Sequence, residues 1–170
     1  MKILVLNGSP RKNGNTSALV DAFKEGAESK QHVVEVVGVG NMKINGCLAC
    51  EFCHGKGEGK CIQQDDMQSL YPKLAEADLV VFASPVHYWS FSGQLQSAIT
   101  RFYAPGAPAA KKYAMILSSG SEGVYDALIA QYNAMVEYFG AEDCGISVFN
   151  GDNQKSDANL SQMRSFGASL

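Results

Sequence analysis

The sequence predicts an α/β fold in three layers, an α/β/α sandwich around a five-stranded parallel sheet. Five short apolar runs alternate along the chain with segments of helical periodicity. Continuous apolar runs are typical of strands buried on both faces, and their alternation with helices favours parallel pairing. A chain of 170 residues suits one domain with five strands in the order 2-1-3-4-5 better than a longer six-stranded sheet.

The predicted strands are short apolar runs without a helical period. In chain order they are KILVL at 2–6, VVEVVGV at 33–39, DLVVFAS at 78–84, YAMILSS at 113–119 and DCGISVF at 143–149. Cys144 lies at the start of the last run, where we expect it to be a small buried hydrophobic residue.

Helices are predicted between the strands, where apolar residues recur every three or four positions. Asp65 or Asp66 caps the second helix, in which Pro72 must kink the chain or lie near the first turn. Arg101, in the last turn of the third helix, is expected to be a favourable end charge. The predicted helices span 16–28, 65–77, 93–102 and 125–139, and a polar tail from 150 onwards ends in a short helix.

Composition and charge exclude several classes of protein. Hydrophobic residues make up 46% and charged residues 18% of the chain, and the net charge is −3. A nucleic-acid binder needs a cationic excess, so that class is not expected. No signal peptide and no apolar stretch of membrane-spanning length is visible, which predicts a cytoplasmic protein without membrane contact. Its thiols would then be kept reduced.

The loop after the first strand, NGSPRKNGNTS at 7–17, predicts a phosphate site. Its backbone N–H groups converge at a helix start, which suits an anion, and Arg11 can add a forked charged contact. It matches neither the phosphate loop of nucleotide hydrolases nor G-x-G-x-x-G, which favours a terminal monophosphate such as that of FMN. The alternative is a plain turn capped by Thr16 or Ser17. The candidate ligands are Ser9, Arg11, Asn13, Asn15, Thr16 and Ser17.

Two further loops complete the predicted FMN site. After the third strand, ASPVHYWSFSG at 83–93 offers flat and apolar side chains that can line an isoalloxazine ring. Tyr88 and Trp89 could instead pack on the protein or on another subunit. After the fourth strand, the small residues Ser119 and Gly120 would let backbone amides approach the pyrimidine edge. The candidates in the second loop are Pro85, Val86, His87, Tyr88 and Trp89.

These motifs resemble those of the NADPH-dependent FMN reductase family of flavodoxin-like proteins, and in particular its iron–sulfur flavoprotein branch. The resemblance covers roughly residues 1–149 and rests on three stretches: MKILVLNGSPRKNGNTS, the cysteine-rich CLACEFCHGKGEGKC at 47–61 followed by DDM at 65–67, and SPVHYWSFSGQLQSAITR. It implies bound FMN, a homodimer or homotetramer, and a nicotinamide or ferredoxin electron partner. It assigns the phosphate to the first loop, the ring and ribityl chain to the second, and the far ring edge to Ser119 and Gly120.

The stretch CLACEFCHGKGEGKC lies in a loop insertion at 45–62 and places four cysteines at C-x2-C-x2-C-x7-C spacing. A crowded triplet with a fourth thiolate is typical of [4Fe–4S] ligation, whereas structural zinc prefers two separated pairs. Cys50 and Cys53 could instead cycle as a dithiol, or the loop could be inert. The conditional ligands are Cys47, Cys50, Cys53 and Cys61.

The function predicted from these observations is an FMN-dependent NAD(P)H oxidoreductase. Electrons would pass from NAD(P)H or a reduced carrier to a quinone, a flavin or another small acceptor, relayed by an Fe–S cluster if one is present. No catalytic side chain is predicted, because the flavin carries the chemistry. The alternatives are a non-enzymatic flavodoxin-like carrier, which the weak acidity disfavours, and a flavin-binding or interaction module whose cysteines are structural.

Overall fold

A computed structural model describes residues 1–104 and 108–170. Its centre is a parallel sheet of five strands in the order β2-β1-β3-β4-β5, as the sequence predicts. The strands β1 to β5 span Lys2–Asn7, Val33–Val37, Leu79–Pro85, Lys112–Ser119 and Glu142–Asn150. The second strand ends two residues earlier than predicted, because the chain turns at Gly38 into a short 3-10 segment at Val39–Asn41.

Five helices cover the two faces of this sheet. The helices α1 to α5 span Asn15–Glu28, Leu70–Glu76, Gly93–Thr100, Asp126–Tyr138 and Asp157–Ala168. A 3-10 turn at Asp66–Ser69 leads into α2, and Asp65 caps it by accepting a hydrogen bond from the Met67 N–H at 3.1 Å. Pro72 is the third residue of α2, where its missing N–H has no helical acceptor to lose.

The alternation of side chains along each strand divides the core into two layers. On one face, Leu4 and Leu6 of β1 pack with the core residues of α2, α3 and α4. On the other face, Ile3 and Val5 pack with α1 and α5. The polar tail ends in a helix, as the sequence predicts, but α5 is longer than expected: it has twelve residues and covers one face of the sheet together with α1.

The parallel register brings the ends of three strands together. Asn7 at the end of β1 pairs with Ala83 of β3, and Pro85 at the end of β3 pairs with Ser118 of β4. The loops that follow these strands must therefore meet at one edge of the sheet. Among the described residues, no helix is both long enough and apolar enough to cross a membrane.

Candidate functional site

A cavity of about 660 Å³ lies at this edge, between the loops after β1, β3 and β4. Its volume is within the range of cofactor sites. Every cofactor-binding residue predicted from the sequence lines it except Ser17, Tyr88 and Trp89. The lining is Ser9, Pro10, Arg11, Asn13, Gly14, Asn15, Thr16, Pro85, Val86, His87, Ser118, Ser119, Gly120, Gln154 and Lys155.

The first loop is braced from inside, which leaves its outer groups facing the cavity. The side chain of Asn7 accepts a hydrogen bond from the Ser9 N–H at 2.9 Å and donates one to Ser17 Oγ at 3.2 Å. Ser17 in turn donates to the carbonyl of Arg11 at 3.1 Å. Ser17 was predicted to bind the phosphate, but its hydroxyl is used in hydrogen bonds within the loop. It therefore does not line the cavity.

The start of α1 is open to an anion. Its N-cap is Gly14, which has no side chain to accept from the first-turn N–H groups, and the first turn contains no acidic residue. Neither Thr16 nor Ser17 is the cap, contrary to the plain-turn alternative. The unused N–H groups and the positive end of the helix dipole face the cavity lined by Arg11, which is the arrangement that suits a phosphate.

A buried hydroxyl pair joins the first loop to the end of β4. Thr16 Oγ1 lies 2.6 Å from Ser118 Oγ, and both residues are almost fully buried. Ser118 lies within the third predicted loop but was not among the predicted ligands. Its signal was weak, because a Ser/Gly turn before a helix is unremarkable until the strand register places it beside the first loop.

The second loop turns sharply after Val86. His87 and Ser90 exchange backbone hydrogen bonds at 2.9 and 3.2 Å, so the two residues between them form a tight hairpin turn. Both adopt left-handed backbone, with φ of 53° at Tyr88 and 58° at Trp89. The two rings were predicted to line the site, but the turn places both outside the cavity lining. Tyr88 and Trp89 are 92% and 53% exposed.

The segment that follows β5 supplies two cavity residues that were not predicted from the sequence. Gln154 Nε2 donates to the carbonyls of Ser119 at 2.8 Å and Gly151 at 2.7 Å. Lys155 Nζ donates to the carbonyl of Asn13 at 2.7 Å. Both residues follow the carboxyl end of β5, and this position could have drawn attention to them, because the same edge carries the other three loops.

The four clustered cysteines lie outside this cavity and do not form a preassembled metal site. Cys47 and Cys50 are exposed, Cys53 and Cys61 are half-buried, and all four thiols are free. Within residues 1–104 and 108–170, no three His, Cys, Asp or Glu side chains converge closely enough to hold a metal ion. The loop conformation described here therefore does not fit an Fe–S cluster.

The dithiol interpretation also lacks an activated thiol at Cys53. Partial burial raises the pKa of Cys53, and the nearby Cys61 and Glu51 add to the increase, whereas a reactive dithiol needs a lowered thiol pKa. The separate Cys144 is half-buried rather than fully buried. Burial raises the pKa of this thiol as well, which disfavours the thiolate, the nucleophilic form of cysteine.

Arg101 was predicted to be a favourable charge at the end of the third helix, whereas the structure places it in a buried ion pair with Asp65. Its side chain is 1% exposed, and its Nη1 atom donates to Asp65 Oδ2 at 2.7 Å and to the carbonyl of Asn45 at 3.0 Å. Burial favours a higher pKa of Asp65, but the hydrogen bond and charge of Arg101 outweigh it and lower the pKa. Arg101 thus connects the first residue of the cysteine loop to the residue that caps the turn before α2.

Comparison with known proteins agrees with this architecture. The chain is 41% identical over 106 residues to an iron–sulfur flavoprotein of Archaeoglobus fulgidus, a match covering 62% of this chain and 47% of the relative. An iron–sulfur flavoprotein of Methanocaldococcus jannaschii is 34% identical over 101 residues, covering 59% of this chain and 51% of the relative. The chain therefore spans about half the length of the curated relatives it matches.

Solved structures share the fold at low sequence identity. An NAD(P)H:quinone oxidoreductase from Methanothermobacter marburgensis superposes with a TM-score of 0.76 at 18% identity, covering 100% of this chain and 96% of that one. An FMN-dependent NADH-azoreductase from Bacillus anthracis, in complex with FMN, has a TM-score of 0.66 at 14% identity, covering 99% and 96%. The family model for NADPH-dependent FMN reductases matches residues 1–154. The chain therefore belongs to the NADPH-dependent FMN reductase family.

Proposed function

We propose that this protein is an FMN-dependent oxidoreductase that passes electrons from NAD(P)H to a quinone, a flavin, an azo compound or another small acceptor. The observation that carries the proposal is the cavity in which an uncapped helix start, Arg11 and the loops after β3 and β4 meet. Family membership and the names of the structural neighbours support the same activity.

In this proposal each loop has a distinct task. The first-turn N–H groups of α1 and the Arg11 guanidinium hold the phosphate. Pro85 and Val86 form an apolar wall for the ring, and the backbone around Ser119 and Gly120 meets its polar edge. Bound FMN would supply the redox chemistry, accepting a hydride from the nicotinamide and returning two electrons to the acceptor. The side chains of the chain then bind and orient, and none is required as a proton donor.

Steady-state oxidation of NADH and NADPH by the FMN-loaded protein tests the proposal. We expect turnover with at least one nicotinamide when a quinone, a free flavin or an azo dye is the acceptor. FMN binding without turnover in every combination would favour the carrier alternative. Failure to bind FMN would leave only the interaction module. The homodimer or homotetramer stays a prediction, which light scattering on the purified protein checks.

The relatives named iron–sulfur flavoproteins favour a cluster on Cys47, Cys50, Cys53 and Cys61. Because these thiols are apart in the conformation described here, a cluster would require the loop to close around it. We therefore propose the cluster only conditionally, together with a ferredoxin as electron partner. Anaerobic purification followed by analysis of iron, sulfide, zinc and flavin tests the cluster. Four irons per flavin would support it. Flavin without iron or zinc would leave the dithiol or the inert loop.

A further inference from the structure

The segment after β5 returns to the cavity and is fixed there by a buried amide. Gln154 is 2% exposed and donates to the carbonyls of Ser119 and Gly151. These two bonds join the third loop to the end of β5. Because breaking these bonds would leave the buried NH2 group of Gln154 without its acceptors, the backbone at Gln154 has little freedom to move.

The next residue places a cation on the rim of the first loop. Lys155 lines the same cavity as Arg11, and its ammonium group donates one hydrogen bond, to the carbonyl of Asn13. An ammonium group has three N–H donors, so two are left for another acceptor. Arg11 and Lys155 are the two basic side chains of the cavity lining apart from His87, and no described Asp or Glu lines it.

Helix packing fixes Lys155 relative to α1, the helix whose start faces the cavity. Ser156 caps α5 directly after Lys155 by accepting from the Asn159 N–H. The backbones of α1 and α5 then touch: a Cβ atom at Gly26 would lie 2.0 Å from the Arg164 carbonyl, and one at Gly167 would lie 2.1 Å from the Phe23 carbonyl. This contact allows α5 little freedom to slide along α1.

We propose that Lys155 is a second cation of the phosphate subsite and favours FMN over the unphosphorylated flavin. The proposal rests on the proposed function, because it concerns the same cavity. A phosphate monoester has a second pKa near 6 and is mainly a dianion at pH 7.5. One arginine and the start of α1 supply about one and a half positive charges. The ammonium group of Lys155 would neutralise the remaining negative charge of the phosphate.

Dilution of the FMN-loaded protein tests this inference, with the dissociation constant read from recovered FMN fluorescence at pH 7.5. We compare wild type, Lys155→Gln, Lys155→Arg and the control Lys12→Gln, each at low and at high salt. Lys12→Gln removes the same charge from the first loop, but Lys12 does not line the cavity. Lys155→Gln should weaken FMN binding about fivefold at low salt, the size expected for a partly exposed ion pair.

The salt dependence separates a charge contact from simple support of the loop. If Lys155 meets the phosphate, its effect shrinks at high salt, Lys155→Arg restores most of the affinity, and Lys12→Gln binds like wild type. An equal loss at both salt concentrations, or a loss no larger than that of Lys12→Gln, would overturn the inference alone. Wild-type protein that retains no FMN would overturn the proposed function, and this inference with it.

Discussion

At the scale of single residues, the buried pair between Arg101 and Asp65 is the most consequential polar contact outside the cavity. The two side chains are 1% and 9% exposed, and Arg101 Nε and Nη2 have no hydrogen-bond partner among the described residues. A buried pair contributes little net stability by itself, but removal of one partner leaves an uncompensated charge in the interior. The cysteine loop depends on this pair because Arg101 binds Asn45, its first residue, and Asp65, three residues after its end.

Asp65→Asn should lower the free energy of unfolding by about 3 kcal/mol, since it keeps the shape of the side chain but leaves the Arg101 charge unpaired. Asp66→Asn is the matched control. Asp66 is exposed, and its carboxylate accepts a hydrogen bond from the Lys43 N–H, so we expect a loss below about 1 kcal/mol. Urea unfolding measures both, and equal losses would contradict the role assigned to Arg101.

The same pair predicts a pH dependence of stability. Arg101 holds the pKa of Asp65 below its ordinary value of 3.8. The stabilisation is therefore fully present above that value, where the carboxyl is ionised in both states, and it is lost as pH falls through the folded-state pKa. The difference in stability between wild type and Asp65→Asn should thus shrink below about pH 4. Urea unfolding at pH 7 and pH 3 checks it, and an unchanged difference would argue against the ion pair.

At the scale of elements, the hairpin turn after β3 stores strain at the rim of the cavity. Two consecutive residues other than glycine adopt left-handed backbone there, in a turn for which Asn-Gly is the favoured sequence. Left-handed backbone costs a residue with a side chain about 1 kcal/mol or more. Tyr88 gains nothing from burial in return. Backbone strain of this kind clusters at functional sites, so this turn is a place at which a functional role can be tested.

Tyr88→Asn should raise the free energy of unfolding by about 0.5–1 kcal/mol, because Asn tolerates left-handed backbone better and no buried contact is lost. If the ring serves the reaction, the same variant should turn over NAD(P)H more slowly. Tyr138→Asn is the control: Tyr138 is 87% exposed but ends the regular helix α4, so no gain is expected there. Denaturant unfolding and steady-state kinetics give the two readouts, and a loss of stability in Tyr88→Asn would refute the strain argument.

The contact between α1 and α5 predicts a strong effect of one methyl group. Gly26→Ala should lower the free energy of unfolding by about 2 kcal/mol or more, because the added carbon meets backbone that cannot move aside. Gly93→Ala, at the first residue of α3 with open space around it, should be neutral or slightly stabilising. Thermal unfolding compares the two, and similar melting temperatures would show that the helices can separate without loss.

At the scale of the whole molecule, the candidate site gathers four separate chain segments at one edge of the sheet. None of the loops after β1, β3 and β4 encloses a ligand alone, and the segment after β5 completes the lining. A ligand that contacts all four segments binds the folded chain and has no equivalent site in the unfolded one. Binding and folding are therefore coupled across the whole sheet.

Saturation with FMN should therefore stabilise the protein by about 2.7 kcal/mol at a free concentration one hundred times the dissociation constant. Denaturant unfolding with and without FMN measures the increase, and riboflavin at equal concentration is the matched comparison. We expect a smaller increase with riboflavin, because the N–H groups at the start of α1 then have no phosphate to bind. Equal stabilisation by both flavins would place the phosphate outside this loop.

The fold and most of the cavity lining followed from local patterns in the sequence. Apolar runs of strand length define the five strands, and a parallel α/β sheet brings the loops after them to one edge. Residues such as Arg11 and Thr16 could be predicted because they belong to a glycine-rich loop that directly follows β1 in the sequence. The cysteine spacing also stands out in the sequence, but spacing contains no information on whether four sulfur atoms converge.

What the sequence by itself determined is therefore the order of the elements, the family and the three loops that line the candidate site. Only the tertiary structure decided the roles of Arg101, Gln154 and Lys155. Each of these side chains acts on a partner 35 or more residues away. Local periodicity reports which face of an element is buried, whereas such partners are fixed by packing between elements, and Lys155 reaches Asn13 because α5 lies against α1.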